Sequence, residues 1–138
     1  QDCCVMHSFP ERTCLIAEDG HIGHGAVLHG CTIERGALVG MNAVVMDDAV
    51  IGEQAIVAAM AFVKSGAMIP ARTLAAGIPA KVLRDLRDDE MRWKHEGTLS
   101  YQQLTKRSFD SLVEVTPLSE PEADRKPLPM FGRAPKGR

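Results

Sequence analysis

A chain of 138 residues is long enough to bury one modest core. Its 16 Lys and Arg against 18 Asp and Glu leave a net charge of -2, so no basic surface points to nucleic acid or a membrane surface as a partner. Aromatic residues make up 4% while Ala, Val, Ile and Met are plentiful, which disfavours an ordinary sandwich or bundle and favours a core of small aliphatic side chains.

The first residues, Gln1-Asp2-Cys3-Cys4-Val5-Met6-His7, read as strand without an initiator Met or a signal peptide. The expectation is therefore that an N-terminal part of a longer protein is missing. Cys3, Cys4, Cys14 and Cys31 show no C-x-x-C pairing, and no apolar run approaches membrane-spanning length. Reduced, structural cysteines in a cytoplasmic protein are expected, with a reactive role for one of them as the alternative. Residues 8–13, polar and containing Pro10, read as a protruding loop.

A six-residue period then dominates. Val27, Ile33, Val39, Val45, Ile51, Val57, Val63, Ile69 and Ala75 form one column; Leu38, Val44, Val50, Ile56, Phe62, Met68 and Leu74 precede its members. Small residues precede those in turn: Cys31, Ala37, Ala43, Ala49, Ala55, Ala61 and Ala67. The period fits neither a helix nor one long alternating strand. It fits a short strand and a turn, three such units closing a triangular coil of about 18 residues that is stable only as a stacked array. Asp47-Asp48 and Gly40-Met41-Asn42 fall at turns, and the five-residue step from Ile22 to Val27 marks an irregularity. A parallel α/β domain would need crossover helices that the sequence lacks, and a low-complexity tract is the other alternative.

Residues 1–80 are thus assigned to a parallel β-solenoid. Residues 81–116 are expected to be helical, with Leu83, Leu86 and Trp93 on one side and Tyr101, Leu104, Leu112 and Val115 on a second stripe, Phe109 at its edge. Residues 117–138 form a Pro- and charge-rich tail, extended or disordered, that Met130 and Phe131 could anchor.

Four of the five histidines lie within residues 7–29. From His7 to His29 is 22 residues, one coil plus four that the loop at 8–13 can absorb, so the two should stack on adjacent coils. His24 should lie around a corner, so that only a neighbouring subunit in a threefold assembly could bring it to His7 and His29. Three imidazoles with an open position are the ligand set of catalytic zinc, with cobalt or iron as alternatives. Gln1, one hexad before His7, is a candidate catalytic residue that would hydrogen-bond metal-bound water. His21 is expected to be structural, and turn or interface histidines without a metal are the competing reading.

The segments CVMH, HIGHGAVLHGCTI and GMNAVVMDDAVIGEQAIV, the AAGIPAKVLR exit and the EMRWKHEGTLSYQQL region resemble the γ-class carbonic anhydrase-like family of hexapeptide-repeat proteins, and within it the phenylacetate-degradation and carnitine-operon branch. The resemblance implies a mainly β fold, a left-handed parallel β-helix with a C-terminal α-helix, assembled as a homotrimer with intersubunit sites. It implies His7, His24 and His29 as metal ligands. It further implies a metal-bound hydroxide that hydrolyses coenzyme A thioesters of aromatic-acid catabolism or hydrates CO2, acting on a small molecule or an acyl-coenzyme A. Acyl transfer from acyl-coenzyme A with a histidine base, and an inactive scaffold trimer, are the alternatives.

Overall fold

The computed structural model describes residues 1–126; the expected anchor at Met130 and Phe131 lies outside them. Every sixth residue of the repeat turns inward. Ile33, Val39, Val45, Ile51 and Val57 are completely buried, and so are Ala37, Ala43, Ala49 and Ala55. The residue between each such pair, among them Leu38, Val44, Val50 and Ile56, points outward and is half-buried. Ala is required at the corner because the coil is narrow there and a larger side chain would overpack it.

The corners follow from one backbone rule. The residue just before each inward Ala has positive φ, as at Gly36, Asn42, Asp48, Gln54, Met60 and Gly66. The following amide closes a turn: Ala43 N–H donates to Gly40 O at 3.2 Å and Ala55 N–H to Gly52 O at 3.0 Å. A positive φ at the third turn position is the signature of a type II turn. The amide of that residue donates to the preceding coil, as in Asn42 N–H to His24 O and Met60 N–H to Met41 O, both 2.9 Å.

In chain order the strands are β1 (Val5–His7), β2 (Leu15–Ile16), β3 (His21–Ile22), β4 (Val27–His29), β5 (Thr32–Ile33), β6 (Leu38–Val39), β7 (Val44–Val45), β8 (Val50–Ile51), β9 (Ile56–Val57), β10 (Phe62–Val63), β11 (Met68–Ile69), β12 (Thr73–Gly77) and β13 (Ala80–Asp85), followed by helix α1 (Asp88–Ser111). They stack into three sheets: β1, β4, β7 and β10 on the first face, β2, β5, β8 and β11 on the second, and β3, β6, β9 and β12 on the third, where β13 is added. The architecture is mainly β, a left-handed β-solenoid with one C-terminal helix. Among the described residues no helix is long and apolar enough to cross a membrane.

Two features differ from the sequence reading. Leu28, not Val27, occupies the inward column: Leu28 sits opposite Val45 and is buried, whereas Val27 is half-buried opposite Val44. The short step therefore lies between Leu28 and Ile33, at His29-Gly30-Cys31, where Gly30 turns the corner at φ 56 with one residue fewer. Residues 81–85, expected to be helical, belong to β13, which pairs antiparallel with β12 and exposes Leu83. The stripe joining Leu83, Leu86 and Trp93 does not form; Leu86 alone of the three is buried, and Leu112 and Val115 lie past the end of α1.

Helix α1 is tied to the third face from its first turn. Its acidic start, Asp88, Asp89 and Glu90, suits the positive end of the helix dipole. Arg84 of β13 donates two hydrogen bonds to the Glu90 carboxylate, at 2.8 and 2.9 Å, and Arg87 N–H donates a third at 3.1 Å. Further along, Lys94 Nζ donates to Asp19 O at 3.0 Å and Gln102 Nε2 to Asp19 Oδ1 at 2.7 Å.

Two outcomes are expected. Replacing the fully buried Ala49 by Leu overpacks a corner and should cost about 1–3 kcal/mol in a denaturant melt, whereas exposed Met60→Leu should change stability by less than about 0.5 kcal/mol; equal effects would contradict the assignment of inward and outward positions. The Arg84 guanidinium, then the Arg87 amide, hold the Glu90 carboxyl down at about 2, below its ordinary 4.5. Because the folded value is depressed, the stabilisation is present above pH 4.5 and is lost as pH falls toward about 2. Acid unfolding of Glu90→Gln should lack this component; an unchanged acid profile would show the bridge to be silent.

Candidate active site at the edge of the first face

The end of the first face gathers the chemistry. Strands β1 and β4 pair in parallel with His7 directly opposite His29. Their imidazoles meet, His7 Nδ1 lying 3.0 Å from His29 Nε2, with ring centroids 5.0 Å apart. The other nitrogen of His29, Nδ1, lies 2.9 Å from Asp47 Oδ1 at the corner of the next coil. His29 and Asp47 are largely covered, their side chains 21% and 19% exposed, while His7 is open to solvent.

Gly30 makes this contact sterically possible. Its φ of 56 suits glycine, and a Cβ there would overlap the Asp47 carboxylate. The loop at residues 8–13 closes over the same corner. Arg12 forms an ion pair with Asp48, Ser8 Oγ donates to Arg12 O at 3.1 Å, and the Phe9 ring stands edge-on to His29 with centroids 5.0 Å apart.

Hydrogen-bond accounting assigns the protons. Ionised Asp47 can only accept, so His29 donates from Nδ1 and its Nε2 becomes an acceptor. With both rings neutral, His7 then donates from Nδ1, which leaves Nε2 as the unprotonated nitrogen of an exposed side chain. The arrangement is a relay, Asp47 to His29 to His7, ending in an exposed basic nitrogen.

His24 and Gln1 lie elsewhere. Both are at the corner between the third and first faces, where His24 Nδ1 is 3.3 Å from Asp2 Oδ2 and the His24 amide donates to Gln1 Oε1 at 3.0 Å. Gln1 Nε2 is 3.1 Å from His21 Nε2, so within one chain Gln1 is a neighbour of His21 and not of the His7–His29 pair. His21 itself is packed against Tyr101 and lies 3.3 Å from Thr98 Oγ1. Burial first, then the charge of Lys94, lower its pKa, which favours the neutral ring.

Asp47 and Phe9 escape a motif-based reading. Asp47 reads as a turn residue, yet it is 18 residues beyond His29, one coil on, and that spacing is the signal that would have found it. Phe9 carries no such signal, because loop residues have no place in the period.

The expected zinc, cobalt or iron site draws His24 from a neighbouring copy, and a single chain brings together only His7 and His29 of its three ligands. Among the described residues no group of three or more His, Cys, Asp or Glu side chains comes together to hold a metal ion.

Comparison with known proteins bears on the same point. Residues 30–65 match the family described as bacterial transferase hexapeptide (six repeats). The carnitine operon protein CaiE of Proteus sp. (strain LE138) is 54% identical over 128 residues, covering 93% of this chain and 65% of that protein. The chain thus spans just under two thirds of the length of the curated relatives it matches. A candidate acetyltransferase of Bacillus cereus superposes with a TM-score of 0.76 at 34% identity, covering 78% of this chain and 62% of that one. Perosamine N-acetyltransferase of Caulobacter crescentus, as its H141N mutant in complex with CoA and GDP-perosamine, superposes with a TM-score of 0.52 at 27% identity, covering 59% and 37%. The expected metal-dependent hydrolase or hydratase, with its thioesterase or carbonic anhydrase activity, is therefore corrected: this solved relative, with coenzyme A bound, is an N-acetyltransferase, and among the described residues no three-ligand metal cluster assembles. The chain is thus a β-solenoid in which residues 30–65 match the bacterial transferase hexapeptide repeat, and it is similar to the carnitine operon protein CaiE.

Proposed function

We propose that this chain carries the base of an acyl-coenzyme A dependent acyltransferase, with His7 Nε2 as the group that takes the proton from the acceptor. The observation that carries the reading is the Asp47–His29–His7 relay, two hydrogen bonds of 2.9 and 3.0 Å ending in a solvent-facing imidazole. An acceptor amine or hydroxyl attacks the thioester carbonyl carbon while His7 Nε2 removes its proton. The tetrahedral intermediate then collapses, the carbon–sulfur bond breaks, and the proton passes to the departing coenzyme A thiolate. His29 holds His7 in the required tautomer and Asp47 supplies the counter-charge, the division of labour of a base and its orienting groups. The coenzyme A and sugar nucleotide held by the Caulobacter relative support a small nucleophilic acceptor.

The site of one chain is open on the His7 side, where Val5 and Met6 are about half exposed. A threefold assembly of this chain would cover that strand and bring His24 of a neighbouring copy toward it. Coenzyme A would then lie between copies.

The test is turnover. With acetyl-coenzyme A and a panel of amine and hydroxyl acceptors, thiol release should require the acceptor, and His7→Ala should lower the rate by about 10²–10⁴-fold. Chelation should leave the rate unchanged; thiol release that is acceptor-independent and chelator-sensitive would contradict the reading. Gly30→Ala should be destabilised by about 1–2 kcal/mol through its left-handed backbone and should also slow transfer by displacing Asp47. A Gly30→Ala protein with full activity would remove Asp47 from the relay.

A further inference from the structure

Beside the relay, on the inward side of the same corner, two thiols from adjacent coils face each other. Cys31 directly follows Gly30 and is 1% exposed; Cys14 ends the Phe9 loop and is half-buried. Their sulfurs are 4.0 Å apart and both side chains pack into the solenoid core. Leu15 N–H donates to Cys31 O at 2.9 Å, so the two segments are neighbours in a ladder, within the separation of backbones that a disulfide bridges.

We propose that Cys14 and Cys31 are a peroxide-sensitive pair that closes to an intrachain disulfide and pins the Phe9 loop to the corner bearing His29. The two thiols have distinct parts. Cys14, which solvent reaches, attacks hydrogen peroxide to give a sulfenic acid and water; Cys31 sulfur then attacks the Cys14 sulfur, expelling hydroxide that takes the Cys31 proton as a second water. Two thiols are oxidised and one peroxide is reduced. Cys31, only 1% exposed, is a poor first target for oxidant and acts once a sulfenic acid stands beside it.

The loop is the element the bond would hold. Its far end at His7 is already fixed by β1, its middle by the Arg12–Asp48 ion pair, and its near end by the backbone hydrogen bond from Leu15 to Cys31. A bond from Cys14 to Cys31 closes a 17-residue loop and adds the missing covalent tether. The crosslink stands independently of the acyl-transfer reading; only its consequence for Phe9 over His29 rests on it, and the experiment below reads the bond and not turnover.

The full chain is treated with hydrogen peroxide, alkylated in denaturant and digested without reductant. The expected result is a mass loss of about 2 Da, a peptide pair joined through Cys14 and Cys31, a Tm raised by about 5 °C, slower tryptic cleavage after Arg12, and reversal of all four by dithiothreitol. Cys14→Ser, at the half-exposed position, should abolish the joined pair, and Cys31→Ala should do so independently. Complete alkylation of both Cys14 and Cys31 after oxidation, or a bond that maps between two chains or to Cys3 or Cys4 instead, would overturn the proposal.

Discussion

The structure depends on the stacking of backbone hydrogen bonds from coil to coil. Each corner amide reaches the carbonyl of the previous coil at about 2.9 Å, as Asn42 does to His24, so residues one coil apart cannot slide past one another. A single contact of this kind contributes little net free energy. Repeated along three faces, the contacts turn sequence spacing into spatial adjacency, and the buried Val, Ile and Ala columns close the interior behind them. No residue in the repeat can be moved alone, because strands β1 to β11 are each only two or three residues long and are held by their neighbours.

The functional corner is where that regularity is broken. Between Leu28 and Ile33 the chain turns with one residue fewer, and Gly30 takes the left-handed conformation that makes this possible. As a result His29 remains in β4 while its ring reaches down to Asp47, one coil along, and up to His7, one coil back. The loop inserted at residues 8–13 is the second break, and it supplies Phe9 against the same ring. Chemistry is thus concentrated where the repeat gives up its period, while the regular coils that follow serve as a rigid base for it.

The period itself was plain in the sequence, because an inward position recurs every sixth residue and is filled by aliphatic side chains. The slip at Gly30 was not, since Val27 and Leu28 are equally apolar and either could fill the inward column. Strand β13 was hidden for another reason: Ala80 to Asp85 mixes charge with apolar residues in a way that a helix face also shows, and only its pairing with β12 decides the matter. At the site, the stacking of His7 on His29 could be counted out from the coil length. What they do there could not, because two imidazoles one coil apart serve equally as a ligand pair or as a hydrogen-bonded relay. The contact with Asp47 was not legible either, because an Asp beside a positive-φ corner looks in sequence like any other turn residue.

The most direct test of this account is the tautomeric state of the two imidazoles, read from the nitrogen chemical shifts of histidine-labelled protein near neutral pH, with His7→Ala and His29→Ala used for assignment. The account predicts that His29 and His7 both carry their proton on Nδ1 and that His7 Nε2 is an unprotonated nitrogen, a pattern that Asp47→Asn should disturb at His29. A proton on His7 Nε2 with Nδ1 unprotonated, unaffected by the change at Asp47, would contradict the relay and with it the base on which the proposed acyl transfer rests.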